Sequence, residues 1–182
     1  CMSIDPNVGA LKEYLTWKTR KGYEIILGYV GDSDVGNTAE SIKNFIRNHY
    51  ENATPSNRAP SYLLIIGDHE LVPSFDMGNH VSDMYFCEFD GNGDYFPEMF
   101  FGRFSAETVG HVNTMVNRTI AYERYPDTDN GSWYIEGAGF ASNEGPGDDG
   151  EYDNEHMDII RQKLLDYNYG DIEQVYDPSG TI

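Results

Sequence analysis

Ser61-Tyr62-Leu63-Leu64-Ile65-Ile66-Gly67-Asp68 is an unbroken apolar run closed by Gly-Asp. A strand with one wet face alternates apolar and polar residues. A run without alternation reads as a central parallel strand buried on both faces. Outward from it, helix and strand patterns take turns. Upstream, residues 10–18 carry apolar side chains at helical spacing and stop at Lys21-Gly22. Residues 23–30 are β-branched and aromatic, a strand pattern. Thr38-Ala39-Glu40-Ser41 caps a second helix that sets Ile42, Phe45 and Ile46 on one face. Downstream, strand-like aromatic pieces occupy 84–89. A strand over 95–104 ends in Gly102-Arg103-Phe104, and a helix over 106–125 bears the stripe Val109, Val112, Val116 and Ile120. A strand over 134–142, a Gly/Asp/Glu loop over 143–152, a helix over 156–167 and a strand over 172–176 complete the pattern. Strands separated by helices need crossover connections, so the predicted fold is α/β: a three-layer sandwich around a mainly parallel sheet.

The 182 residues are 39% hydrophobic and 14% aromatic, a globular composition with enough apolar surface for one cored domain. Twelve Lys and Arg against 31 Asp and Glu give a net charge of −19. That charge repels nucleic acid and anionic membrane and favours cations, either calcium or a basic peptide side chain. Solubility in a crowded or extracellular medium explains it as well. No apolar stretch reaches membrane-helix length. Of the two cysteines, Cys87 within Met84-Tyr85-Phe86-Cys87-Glu88-Phe89 reads as a small buried hydrophobe on a strand. Cys1 fits a trimmed chain or a lipoprotein cysteine. No CxxC spacing points to zinc or a dithiol.

Ligands in open α/β sheets collect beyond the carboxyl ends of strands. Two loops there are rich in functional side chains: Gly67-Asp68-His69-Glu70 and the stretch from Asn143 to His156. The second concentrates acids and one His where a strand hands over to a helix. It can bind calcium, hold a cationic side chain or orient a catalytic His; acids in a first helical turn are also simply good caps. Asp90-Gly91-Asn92-Gly93-Asp94 alternates oxygen ligands as a calcium loop does, with Asp90, Asn92 and Asp94 as candidates. It departs from an EF-hand at Tyr95 and is also ordinary turn sequence. His69 beside Asp68 reads as structural, and Arg103 as an ion-pair partner in a chain with few bases. There is no Gly-x-Ser-x-Gly elbow, no phosphate loop and no Cys in a catalytic setting.

Several strings in colinear order resemble the gingipain family of cysteine endopeptidases. They include Leu15-Thr16-Trp17-Lys18, Tyr62-Leu63-Leu64-Ile65-Ile66-Gly67-Asp68-His69 with Val72-Pro73, Ser82-Asp83-Met84-Tyr85, Asp94-Tyr95-Phe96-Pro97-Glu98-Met99, Gly102-Arg103-Phe104-Ser105-Ala106 and Ala141-Ser142-Asn143-Glu144-Gly145. The resemblance implies a caspase-like fold of two α/β subdomains, the first over 1–140 and the start of the second, catalytic one over 141–182. It implies a bacterial, secreted or cell-surface hydrolase acting on proteins or peptides, with calcium as a structural cofactor. The family's catalytic His and Cys lie in Asn-Tyr-x-Gly-His-Gly and Ala-Cys-x-Asn-Gly motifs. Neither occurs here, so the chain is expected to be inactive alone and completed by a downstream segment of the same precursor. The Ala-Ser-x-Glu-Gly string places on Glu144 the acid that orients the absent His. The string Gly150-Glu151-Tyr152-Asp153-Asn154-Glu155-His156 places on Asp153 a buried pocket acid that pairs with a substrate Arg; the loop is shorter than the family's, and Asp148 or Asp149 can take that place. A gingipain-like sortase and a catalytically dead, calcium-stabilised binding domain are the alternatives.

Overall fold

A computed structural model describes residues 5–7, 9–91 and 96–177. The chain divides into two compact units, Cys1–Tyr125 and Pro126–Ile182. The subdomain division expected between 140 and 141 falls inside strand β5 (Glu136–Ala141) of the second unit.

In the first unit, β1 (Tyr62–Ile66) pairs in parallel with β4 (Phe100–Phe104), from Tyr62 opposite Phe100 to Ile66 opposite Phe104. Side chains alternate across a strand, so the two faces of this pair gather separate cores. Ile65 packs with Ile42 and Ile46 of α2 (Ala39–Glu51), together with Phe86, Cys87, Phe89 and Met99. Ile66 and Phe104 pack with Val112, Val116 and Ile120 of α3 (Val109–Arg124) and with Ala10 and Tyr14 of α1 (Gly9–Arg20). Helix, sheet and helices therefore make the three expected layers within this unit. Phe86, Val112 and Val116 are fully buried, each contributing about 1.5–3 kcal/mol of transfer free energy. The α3 stripe holds except at Val109, which is exposed.

The start of α2 follows its sequence signal. Thr38 Oγ1 accepts from the Ser41 N–H and Ser41 Oγ from the Thr38 N–H, both at 3.1 Å, a reciprocal cap that satisfies donors a helix start otherwise leaves open. Three expectations are corrected. Residues 23–30 enter no β-ladder; Tyr23 instead meets the Tyr62 ring edge-on at 5.6 Å. Composition can favour a strand, but only a partner's backbone makes one. Residues 84–86 form a 3-10 turn rather than a strand, and Cys87 is buried behind it. Strand β1 has one ladder partner among the described residues, and its Tyr62 is 59% exposed, so it is not buried on both faces throughout.

Arg103, on β4, ties the sheet to the segment downstream of β1. Its Nε and Nη2 bind the two oxygens of Asp83, each at 2.7 Å. Nη1 donates to the Gly67 and Val72 carbonyls at 2.7 and 3.1 Å, and Nη2 also reaches Ser74 Oγ at 3.0 Å. A guanidinium has five N–H donors, and all five are used. Gly67 makes this possible with φ of +131°, where a side chain is strained and a Cβ would crowd Val72 at 3.1 Å. Hydrogen bonds from Arg103 hold the Asp83 carboxyl below the usual carboxylate range despite burial. The antiparallel hairpin β2 (Phe75–Asp76) and β3 (Val81–Ser82) sits between these anchors.

Helices α1 and α3 are joined through Glu123. It accepts from Trp17 Nε1 at 2.9 Å, Lys18 Nζ at 2.6 Å and Lys21 Nζ at 3.2 Å. Burial alone would raise this carboxyl, but the three donors outweigh it and hold the value at about 2.

In the second unit, β5 pairs in parallel with β6 (Asp171–Tyr176), and α4 (Asp153–Asp166) connects them. Arg161 Nε on α4 donates to the Ile172 carbonyl at 2.9 Å, and Ile172 is buried. Both long strand pairs are thus parallel, as an α/β fold requires.

Replacing Arg103 by Lys keeps the charge and loses the fork, leaving Asp83 and two carbonyls short of donors. Denaturant unfolding should show a loss of about 3 kcal/mol; a loss below about 1 kcal/mol would deny Arg103 its anchoring role. A folded-state value for Glu123 below its unfolded one contributes stability above about pH 4.5 that is lost as pH falls toward 2. Glu123→Gln should lower stability at pH 7 by about 1–2 kcal/mol, after allowing for solvent screening. It should also flatten the acid limb of the pH–stability curve between those values.

Candidate functional site

The handover from β5 to α4 is where the sequence concentrates its acids. Strand β5 ends at Ala141, and the next residue, Ser142, is buried. Its hydroxyl donates to Asp153 Oδ2 at 2.5 Å and accepts from the Glu144 N–H at 3.1 Å. The Asp153 N–H donates to the Glu144 carbonyl at 3.0 Å. These three bonds close a ring through Ser142, Glu144 and Asp153, fixing the start of α4 to the end of β5.

Helix α4 begins at Asp153, not at 156 as the sequence suggests. Asp153, Glu155 and His156 therefore belong to its first turn. Acids there are stabilised by the N-terminal end of the helix dipole, and the Tyr152 N–H donates to Glu155 Oε2 at 3.1 Å. The loop before the helix is folded on itself. Gly147 N–H donates to the Glu151 carbonyl at 2.9 Å, and Gly150 N–H to the Gly147 carbonyl at 3.0 Å. Gly145 has φ of +138°, and a Cβ there would stand 2.9 Å from Tyr152 Cα and 3.1 Å from the Glu151 carbonyl oxygen. Only glycine lets the loop pass so close to the helix start.

Glu144 and Asp153, the two acids singled out by the sequence, are brought together by the ring, and both are exposed. Asp153 is thus not the buried carboxylate expected; its Oδ2 is occupied by Ser142, and the rest of the group faces solvent. Asp148 is exposed and outside the ring. Asp149 is engaged elsewhere: Oδ1 accepts the Glu151 N–H at 3.1 Å and Oδ2 lies 3.3 Å from His156 Nδ1. The Glu151 amide is the main reason its carboxyl sits below the ordinary range, with His156 assisting. His156 Nδ1 also lies 2.9 Å from Glu151 Oε2.

Of the calcium candidates, Asn92 and Asp94 lie outside the described residues, and Asp90 is exposed. Its neighbour Glu88 is committed to the Gly91 N–H at 2.9 Å and to Lys43 Nζ at 3.5 Å. An exposed carboxylate oxygen is a donor that calcium can take, and Asp90 offers one. His69 is exposed, while Asp68 caps its turn by accepting the Leu71 N–H at 3.1 Å. Cys87 is buried, and desolvation pushes its thiol up to about 12, which removes it as a nucleophile. Ser142 is the residue that sequence reasoning passes over. A lone Ser at a strand end carries no signal that its partner lies eleven positions on.

The chain matches the model of a family described as peptidase family C25 over residues 6–179. It is 33% identical over 175 residues to gingipain R2 of Porphyromonas gingivalis, covering 95% of this chain and 23% of that protein. Lys-gingipain of the same organism is 36% identical over 118 residues, covering 63% of this chain and 7% of that one. The chain therefore spans less than a quarter of the length of either relative. Among solved structures, the Arg-specific cysteine proteinase gingipain R matches with a TM-score of 0.79 at 32% identity, covering 92% of this chain and 38% of that one. The complex of P. gingivalis RgpB pro- and mature domains matches equally well, at 0.79 and 32%, covering 92% and 39%.

The close passage at Gly145 predicts that Gly145→Ala costs about 1–3 kcal/mol, the range for forced backbone strain. Hydrogen exchange at the amides of Glu144 and Asp153 should accelerate. At Gly147 an added Cβ would come no nearer than 3.5 Å, to Asp149 Oδ1. Gly147→Ala should therefore leave those amides protected; equal acceleration in both variants would refute the packing argument.

Proposed function

The chain belongs to peptidase family C25, and from that membership we propose that it is the non-nucleophilic portion of a bacterial, secreted or cell-surface cysteine endopeptidase that cleaves after Arg. The ring through Ser142, Glu144 and Asp153 supports the reading, because it fixes the Asp153 carboxylate and the Glu144 backbone at the carboxyl end of one strand. A solved structure described as an Arg-specific cysteine proteinase matches 92% of the chain, which favours Arg over other side chains.

In this reading the two acids do different work. Cysteine peptidases attack the scissile carbonyl with a thiolate, while an imidazole passes the proton to the leaving amine. That imidazolium needs an oriented anion behind it. Glu144 fills this role: its amide and carbonyl are both held in the ring, so its exposed carboxylate is presented from a fixed backbone. Asp153 receives the substrate guanidinium. Ser142 occupies one lone pair of Oδ2 and sets the plane of the carboxylate, leaving its other positions for a forked pair of N–H donors. The exposure of Asp153 suits this role, because the arriving substrate is what desolvates it.

The 182 residues contain no Gly-His-Gly and no Ala-Cys string. The His and Cys then come from the rest of the catalytic unit, and this chain by itself hydrolyses nothing. Calcium would act structurally, with Asp90 as one oxygen ligand, and takes no part in the chemistry.

The decisive experiment uses the full catalytic unit with Arg substrates paired with Lys and with uncharged ones. Asp153→Asn should reduce kcat/KM for Arg substrates by about 2–4 kcal/mol in transition-state terms, with little change for uncharged ones. Unchanged Arg preference would sink the pocket assignment.

A further inference from the structure

Around His156, three side chains converge that the proposed peptidase chemistry does not use. Asp149 Oδ2 and Glu151 Oε2 lie 3.3 and 2.9 Å from His156 Nδ1. One ligand atom from each of the three residues lies within 4.8 Å of the others. We propose that Asp149, Glu151 and His156 form a site for a divalent transition ion of the zinc type, which clamps the loop onto the first turn of α4.

The geometry is close to what such an ion imposes. With bonds of about 2.0–2.1 Å, tetrahedral zinc sets its ligand atoms about 3.3–3.5 Å apart. The Asp149–His156 edge already spans that distance; the ion would open the Glu151–His156 contact from 2.9 Å and bring the Asp149–Glu151 edge, which lies within 4.8 Å, to the same value. One imidazole nitrogen and two carboxylate oxygens suit zinc and its neighbours; calcium prefers an all-oxygen shell. Three protein ligands leave a fourth position for water, in keeping with an exposed site.

Preorganisation supports the same conclusion. Asp149 and Glu151 are two residues apart on a stretch whose backbone is pinned by the Gly147 and Gly150 amides. His156 stands on a helix whose start is pinned by Ser142. The Glu151 N–H holds Asp149 Oδ1 at 3.1 Å, which leaves Oδ2 turned to His156. A net charge of −19 raises the local concentration of any cation. The inference is independent of any role for Asp153, since none of its three ligands belongs to the ring.

Zinc chloride titrated into this chain, followed by calorimetry and by melting temperature, tests the site without reference to activity. The expected result is one high-affinity zinc and a rise in melting temperature that calcium chloride at equal concentration does not reproduce. His156→Gln, an exposed substitution that leaves the fold intact, should weaken zinc binding by more than the roughly 10–100-fold typical of losing an outer-shell partner. Glu151→Gln should weaken it as well. Zinc affinity unchanged in both variants, or no zinc binding to the unaltered chain, overturns the proposal.

Discussion

A guanidinium largely withdrawn from water is stable only if its donors are met, and Arg103 meets all five. Its partners come from the turn after β1, the strand-poor stretch beyond it, and Asp83 ahead of the 3-10 turn. Besides them, the segment from Gly67 to Asp83 is held by a two-residue hairpin, by the Gly67 and Asp68 amides on the Phe104 and Ala106 carbonyls, and by the packing of Val72 and Phe75 on the core. With them, that segment is fastened to β4 beside the core around Phe86 and Cys87. The cost of burying a charge is offset by making it the node through which an irregular stretch acquires a single conformation.

The second unit solves a similar problem without a charge at its centre. A parallel strand must hand its chain to a helix that turns back over the sheet, and the junction has to be rigid if side chains there are to act on a ligand. Ser142 does this with one hydroxyl that donates forward to Asp153 and accepts back from Glu144. The two acids presented to solvent are therefore held by their backbones and by a neutral neighbour, not by salt bridges that would neutralise them. Bases are scarce in this chain, and several in the first unit are already engaged, as Lys18 and Lys21 are with Glu123.

The features legible in the sequence are local. Thr38 and Ser41 announce a helix start because their partners lie within one turn; Val112, Val116 and Ile120 announce a buried face by spacing alone. Gly67-Asp68 marks the end of β1 because the backbone there needs a left-handed residue. The partners of Arg103, by contrast, stand 20 to 36 positions away, and no spacing rule reaches that far. The start of α4 reads late in the sequence because Asp153, Asn154 and Glu155 resemble loop by composition, although acids are what a first turn favours. Residues 23–30 resemble a strand because side-chain preference is legible and the missing ladder is not. The two acids are legible through family resemblance; their bracing by Ser142 and the convergence on His156 become visible only in the folded loop.

The burial of Cys87 carries a consequence for handling a thiol-dependent enzyme family. Its sulfur is shielded by the core and holds its proton far above neutral pH. It is consequently silent toward alkylating and oxidising reagents while the first unit stays folded. Any labelling of Cys87 then reports how often that core opens, so one native side chain serves as a built-in clock for local unfolding.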